Sequence, residues 1–396
     1  MPDNQPQESY PLLGLAYDQI TGDEDARVCK DIPDAACRHQ PRNFFAYLFA
    51  NFLSKVADEL SSARLILPWL LGSLGAPAAF VGFLVPIREA GVLLPQLAVA
   101  AYIRRLPRRK GVWLLGAVLS AIALLCIAAT TVTLNGKSAG WAILAMVTLF
   151  SLSRGLCSVS AKDVLGKTVS KTRRGALMGY SAAAAGVVTL LIGSYVEIFG
   201  GLRLGADFFM AMLLAAAGIW LLAIAAFASI REEAGATEGG GNAITTALRS
   251  LAILKTDQAL RCFVIARALL LSVALAPPFY VLLAQQRSTG VTGLGLMIIA
   301  SGLAASLSAP FWGRMGDRSS RRVMIIASAA AGLTGMLTFL IDIAGGTIIN
   351  SPWIYALLFL LIAVFHGGVR LGRKVYLVDM ANQETRSTYV AVSNTA

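Results

Sequence analysis

The sequence predicts an all-α integral membrane protein, built as two six-helix bundles that repeat in the same orientation. Three observations lead there. The 396 residues are 56% hydrophobic and only 14% charged, with a mean hydropathy of +0.67, which is too apolar for one water-soluble core. Apolar stretches long enough to cross a bilayer, about 20 residues each, recur along the chain. Finally, charge patterns of the first half return in the second: Arg105, Arg108 and Arg109 lie 213 residues before Arg318, Arg321 and Arg322.

Taken in order, residues 1–43 are acidic, broken by proline and without an apolar core ahead of a cleavage site, so they read as a disordered cytoplasmic tail and not as a signal peptide. Six apolar spans follow within an N-terminal bundle, residues 44–230: 44–73, 76–102, 112–134, 141–166, 175–199 and 206–230. All are too long to be strands of a membrane barrel, which need about 10 alternating residues. Residues 231–260, with "REEAGATEGGGNA", combine glycine with acids and read as a cytoplasmic linker. Spans seven to ten are placed at 261–284, 291–313, 323–345 and 352–379 in a C-terminal bundle, residues 261–396. Lys162, Arg174 and Ser181 match Lys374, Arg386 and Ser393 at an offset of 212. That register places only the start of an eleventh helix before Ala396, so a truncated bundle, with helix 11 cut short and helix 12 missing, is expected.

The net charge of +12 follows the loops. Sixteen Lys and Arg lie in the connections after even-numbered spans and three, Lys137, Arg203 and Arg287, in the others. Short basic loops are retained in the cytoplasm, so the N-terminus is expected there and the protein in the inner (cell) membrane. No soluble face collects the cations, which excludes nucleic acid as a partner. Cys29, Cys37 and His39 lack recurrent zinc spacing and no disulfide framework stands out, so neither a metal site nor a stapled domain is expected. Gly136-Lys137-Ser138 and Gly166-Lys167-Thr168 lack the earlier glycine of a phosphate loop, having Thr131 and Ala161 there. ATP chemistry, an enzyme and a cofactor are therefore not expected.

Several spans carry charge. Insertion of a charged side chain at the bilayer centre costs on the order of 2.5–3.5 kcal/mol, so such groups are expected to face protein or water. Lys55, Asp58, Glu59 and Ser62 of span 1 recur at i, i+3, i+4 and i+7 on one stripe; Lys55 lies about 16 Å into the span. His366, Arg370, Arg373 and Lys374 form a second stripe on span 10. Arg88 and Glu89 of span 2, Arg154 of span 4 and Arg267 of span 7 complete the set. Two readings of these groups stand: a water-filled binding site, or ion pairs that hold the bundle together.

The stretch "GRMGDRSSRR" between spans 8 and 9 resembles the cytoplasmic-loop signature of the major facilitator superfamily, Gly-x-x-x-Asp-Arg-x-Gly-Arg-Arg/Lys. Gly313, Asp317, Arg318, Arg321 and Arg322 match, and Ser320 stands at the second glycine. The first-half copy, "AAYIRRLPRR", keeps Arg105, Arg108 and Arg109 but has Arg104 in place of the aspartate. The resemblance covers residues 44–396 in span order, loop polarity, linker and duplication. It implies that these eight matching residues form a conformational latch between the halves, Gly313 permitting close helix approach. Spans 1, 4, 7 and 10 would line a central cavity. On that reading Lys55, Arg88, Arg154, Arg267, His366 and Arg370 are the candidate solute-binding residues, and Asp58, Glu59 and Glu89 the candidate proton carriers. The implied function is secondary active transport of a small polar solute by alternating access, proton-coupled and drawing on the proton gradient, in a monomer within the lipid bilayer. The excess of cations over acids favours an organic anion or a zwitterion. The alternative is a membrane scaffold or sensor that keeps this fold without transport.

Overall fold

The computed structural model describes residues 17, 37–103, 106–199, 205–234, 251–287, 293–345, 351–380, 389, 392 and 393. Every regular element among them is helical. The first half comprises α1 (Gln40–Leu60), α2 (Ile66–Ser73), α3 (Ala78–Ile103), α4 (Lys110–Thr133), α5 (Gly136–Thr168), α6 (Lys171–Phe199) and α7 (Ala206–Ala228). After a short α8 (Ile253–Thr256) come α9 (Gln258–Leu270), α10 (Ser272–Arg287), α11 (Leu294–Arg318), α12 (Ser320–Ala344) and α13 (Pro352–Met380). Eight stretches among the described residues are long and apolar enough to cross a membrane, and the chain is a multi-pass membrane protein. Large apolar side chains such as Leu333, Phe339 and Ile343 of α12 stay exposed, as a lipid-facing surface requires.

Span 1 differs from the continuous helix expected over 44–73. It is two helices, α1 and α2, parted at residues 61–65. Pro68 explains the break: it has no N–H, and its ring clashes with the carbonyl four residues back, that of Arg64. The freed backbone is satisfied locally. Leu65 and Leu67 donate to the Ser62 carbonyl at 3.3 and 3.0 Å, and the Ser61 hydroxyl donates to Ala57 O at 2.8 Å. Span 7 is likewise divided, at Leu271 between α9 and α10, one to two turns before the adjacent Pro277 and Pro278.

Within the first half α4 packs on α5 and α7, α3 on α5, and α1 on α6 and α7; in the second, α13 packs on α10, α11 and α12. The first half is tied at one end by aromatic stacking, with Trp113 and Phe227 3.9 Å apart and nearly parallel, beside buried Trp220. Tyr17 is also buried there, edge-on to Phe44 at 5.3 Å and accepting from Gln40 Nε2 at 2.6 Å. Cys126, Cys157 and Cys262 are free; Cys37 is disulfide-bonded, which the sequence reading did not expect.

The two halves meet through α6 against α11 and through α10 against α2 and α3. The close approaches of this interface cluster at one end. A Cβ on Gly193 would lie 2.8 Å from the Ile299 backbone N, and one on Gly295 2.5 Å from the Glu197 backbone N, so small residues set the helix separation. Gln285 of α10 donates to Trp69 O of α2 at 3.1 Å. The loops α3/α4, α5/α6 and α11/α12 lie at the opposite end. Small residues thus hold the two halves together at the end away from these loops.

Candidate functional site

The mid-span charges converge between the halves. Asp58 of α1 holds two arginines, one on each oxygen: Arg154 of α5 at 2.7 Å and Arg88 of α3 at 3.5 Å. Each guanidinium also lies over an aromatic ring, Arg154 over Trp220 at 4.7 Å and Arg88 over Phe150 at 5.0 Å. Both contacts suit a flat, weakly hydrated cation. Glu89 of α3 pairs with Arg64 at 2.8 Å. Arg64 sits in the break between α1 and α2, so the unwinding forced by Pro68 is what delivers this guanidinium.

The ion-pair reading therefore holds for four of the expected site residues, Asp58, Arg88, Glu89 and Arg154, and its partner Arg64 went unrecognised in the sequence. Glu59, one residue from Asp58, makes no ion pair among the described residues. It is exposed and lines a small cavity with Thr189 and Ile192 of α6 and with Ile298 and Ser301 of α11. Lys55 is half-buried one turn away, also without an ion pair among the described residues.

From the second half, α13 presents Arg370 and Lys374, both exposed, and half-buried Arg373. The charges that bear on Arg370 are Arg64, Glu89 and Glu59 of the first half, so Arg370 faces the other bundle. Arg267 of α9 belongs to the same wall and donates to the Ser393 hydroxyl. His366 is buried within α13, 6% exposed, and does not open onto the cavity. At the depth of Arg370 to Lys374 the charged groups of α13 are all cations.

The α11/α12 loop is organised within its own half. Ser319 caps α12, its hydroxyl accepting from Arg322 N at 3.3 Å, and Ser320 donates to Asp379 of α13 at 2.8 Å. Arg318, Arg321 and Arg322 are exposed. A Cβ on Gly313 would meet nothing within 4 Å, so the close approach expected of this glycine is absent in this structure. The side chain of Asp317, like Arg105, lies outside what is described.

The first-half loop has an anion that its motif lacks. Glu232, just after α7, is fully buried and accepts from the backbone N–H groups of Arg109, at 2.9 and 2.8 Å, and Lys110, at 2.7 Å. A carboxylate at the start of α4 satisfies donors that a helix N-terminus leaves open. Lys167 of α5 adds an ion pair at 3.2 Å, and Arg109 pairs with Asp163 at 3.1 Å. Arg108 stays exposed. Nothing in the motif pointed to Glu232, because acids among linker glycines resemble a solvated tether.

The family description Major Facilitator Superfamily matches residues 44–396. Among solved structures the chain is similar to a POT family transporter in complex with 5-aminolevulinic acid, at 15% identity and a TM-score of 0.67, over 89% of this chain and 87% of that one. It is similar to the nucleoside transporter NupG at 11% identity and a TM-score of 0.67, over 89% and 87%. It is also similar to a D-xylose-proton symporter at 15% identity and a TM-score of 0.60, over 89% and 85%. At such identities the likeness is one of fold. No curated protein matches the chain.

Proposed function

This chain belongs to the major facilitator superfamily, and from that premise we propose that it is a secondary active transporter of a small polar solute, an organic anion or a zwitterion, working by alternating access and coupled to protons. The observation that supports this best is the set of charged side chains that face each other from the two bundles, Lys55, Glu59 and Glu89 against Arg370, with the bundles held together at one end by small-residue packing of α6 on α11. Such an arrangement binds from one side and, by rocking of the bundles, releases to the other. The basic loops lie at the end opposite that packing, so under the positive-inside rule this end faces the cytoplasm of a cell whose inner membrane holds the protein as a monomer.

Proton coupling falls to Glu59. Asp58 and Glu89 have their charges held by arginines at 2.7 and 2.8 Å, whereas Glu59 has no such anchor and is open to the cavity. Its proton is free to come and go as access alternates. The test is uptake into proteoliposomes of radiolabelled anions and zwitterions, with and without a pH gradient. Accumulation that collapses with the gradient is expected in the wild type. Glu59→Gln is expected to abolish accumulation and spare solute exchange. A protein that neither accumulates nor exchanges any probe would instead favour a scaffold.

A further inference from the structure

We infer that the solute is a multivalent anion, gripped between Arg370 and Arg373 of α13 and Lys55 of α1, and that its charge is what permits the two halves to close around it. This deepens the transport reading above and rests on it. The carboxylates facing the cavity are few and mostly committed: Asp58 already holds two arginines and Glu89 a third. Among the described residues, Glu59 is the acid facing Lys55 and Arg370 that no arginine already holds. The α13 wall brings no carboxylate of its own to that depth. Moreover, the buried Nε of Arg373 has no hydrogen-bond acceptor among the described residues, an orphaned donor of the kind a bound anion satisfies.

The rim carries the same excess. Lys162 of α5 and Lys374 of α13, repeat counterparts from opposite halves, are both exposed and lie close enough for their charges to interact. Closing the halves brings like charges together, and the repulsion grows as water leaves the space between them. A zwitterion adds no net charge and leaves that repulsion in place. A monoanion offsets one cation. Two or three negative charges on one small molecule, as in a di- or tricarboxylate or a phosphate ester, offset enough to let the halves meet, and planar guanidiniums take carboxylate or phosphate oxygens in pairs.

The probes are acetate, succinate and citrate, which carry one, two and three carboxylates, with glycine as the zwitterion. Thermal unfolding of the whole purified chain in neutral detergent is followed at matched ionic strength. Citrate is expected to raise the midpoint most, succinate less, and acetate and glycine no more than matched chloride. Arg370→Gln with Arg373→Gln is expected to raise the ligand-free midpoint, by relieving repulsion, and to remove the citrate response. Arg373→Lys, which keeps charge, retains most of it. Equal shifts from glycine and citrate, or an undiminished citrate shift in the double variant, would overturn the inference. So would an equal shift from phosphatidylglycerol added to the micelle, which would assign the site to a lipid headgroup. Binding is read here without any gradient. Citrate binding without transport of any probe would sink the transport reading and leave only an anion site, while uptake of a zwitterion without citrate binding would sink this inference and leave the transport reading.

Discussion

Asp58 shows how one carboxylate organises a mid-span site. Its two oxygens hold guanidiniums from two other helices, and each guanidinium rests on an aromatic face. Asp58→Asn keeps the shape and removes the charge, leaving Arg154 and Arg88 without their anion. Hydrogen bonds to charged groups contribute about 2 kcal/mol net, so a loss near that size is expected in denaturant unfolding of the micelle-bound protein, with Arg154→Lys losing less. At the start of α9 the chemistry is that of water. The Leu260 backbone N–H, at 2.9 Å, and then the Tyr389 hydroxyl hold the Asp257 carboxyl below its ordinary value of 3.8. A folded value below the unfolded one stabilises the fold at every pH above the unfolded value, and that stability is lost as pH falls through the folded one. The midpoint difference between wild type and Asp257→Ala should be constant from about pH 8 to about pH 5 and close below about pH 4.

Among elements, α6 and α11 hold the halves together at one end. Their separation is set where Gly295 meets Glu197, whose carboxylate also accepts from Leu296 N at 3.1 Å and so caps α11 from the other half. Gly295→Ala puts a methyl group against the backbone, which cannot step aside as a flexible side chain can. The expected outcome is an interface wedged open. A cysteine at Ser301, which lines the space behind it, should then react with a membrane-impermeant thiol reagent applied at that end, in a background without the native cysteines. No reaction should occur when Gly295 is retained. The spans themselves were legible in the sequence, since a run of apolar residues has one outcome in a bilayer. Helical spacing decides which residues share a face, and it grouped Arg370, Arg373 and Lys374 with His366, which the structure buries. The break in span 1 was not legible, although Pro68 was visible: apolar composition says nothing of the carbonyl four residues back. Glu232 escaped for a related reason. Composition reports a solvated linker, and only the tertiary fold brings its carboxylate to the start of α4.

At the scale of the molecule, the pairings that matter join residues far apart in the chain, and periodicity cannot report them. Asp58 and Arg154 are 96 residues apart, and Arg64 and Glu89 are 25. That long separation has a consequence for biogenesis. Span 1 carries Lys55, Asp58, Glu59 and Arg64, and a charged side chain at the bilayer centre costs on the order of 2.5–3.5 kcal/mol on insertion. Leaving the translocation channel alone, this segment would enter lipid with those charges unmatched. Glu89 and Arg88 emerge with the next span, and Arg154 only with the fourth. The first span is therefore expected to wait in a sheltered, protein-lined place until its counter-charges have been synthesised. Nascent chains released after residue 135 should leave it extractable by alkaline carbonate, and chains released after residue 200 should hold it firmly. Arg154→Ala in the longer chain should return the first span to the extractable fraction, making the fourth span's arginine a condition of the first span's integration.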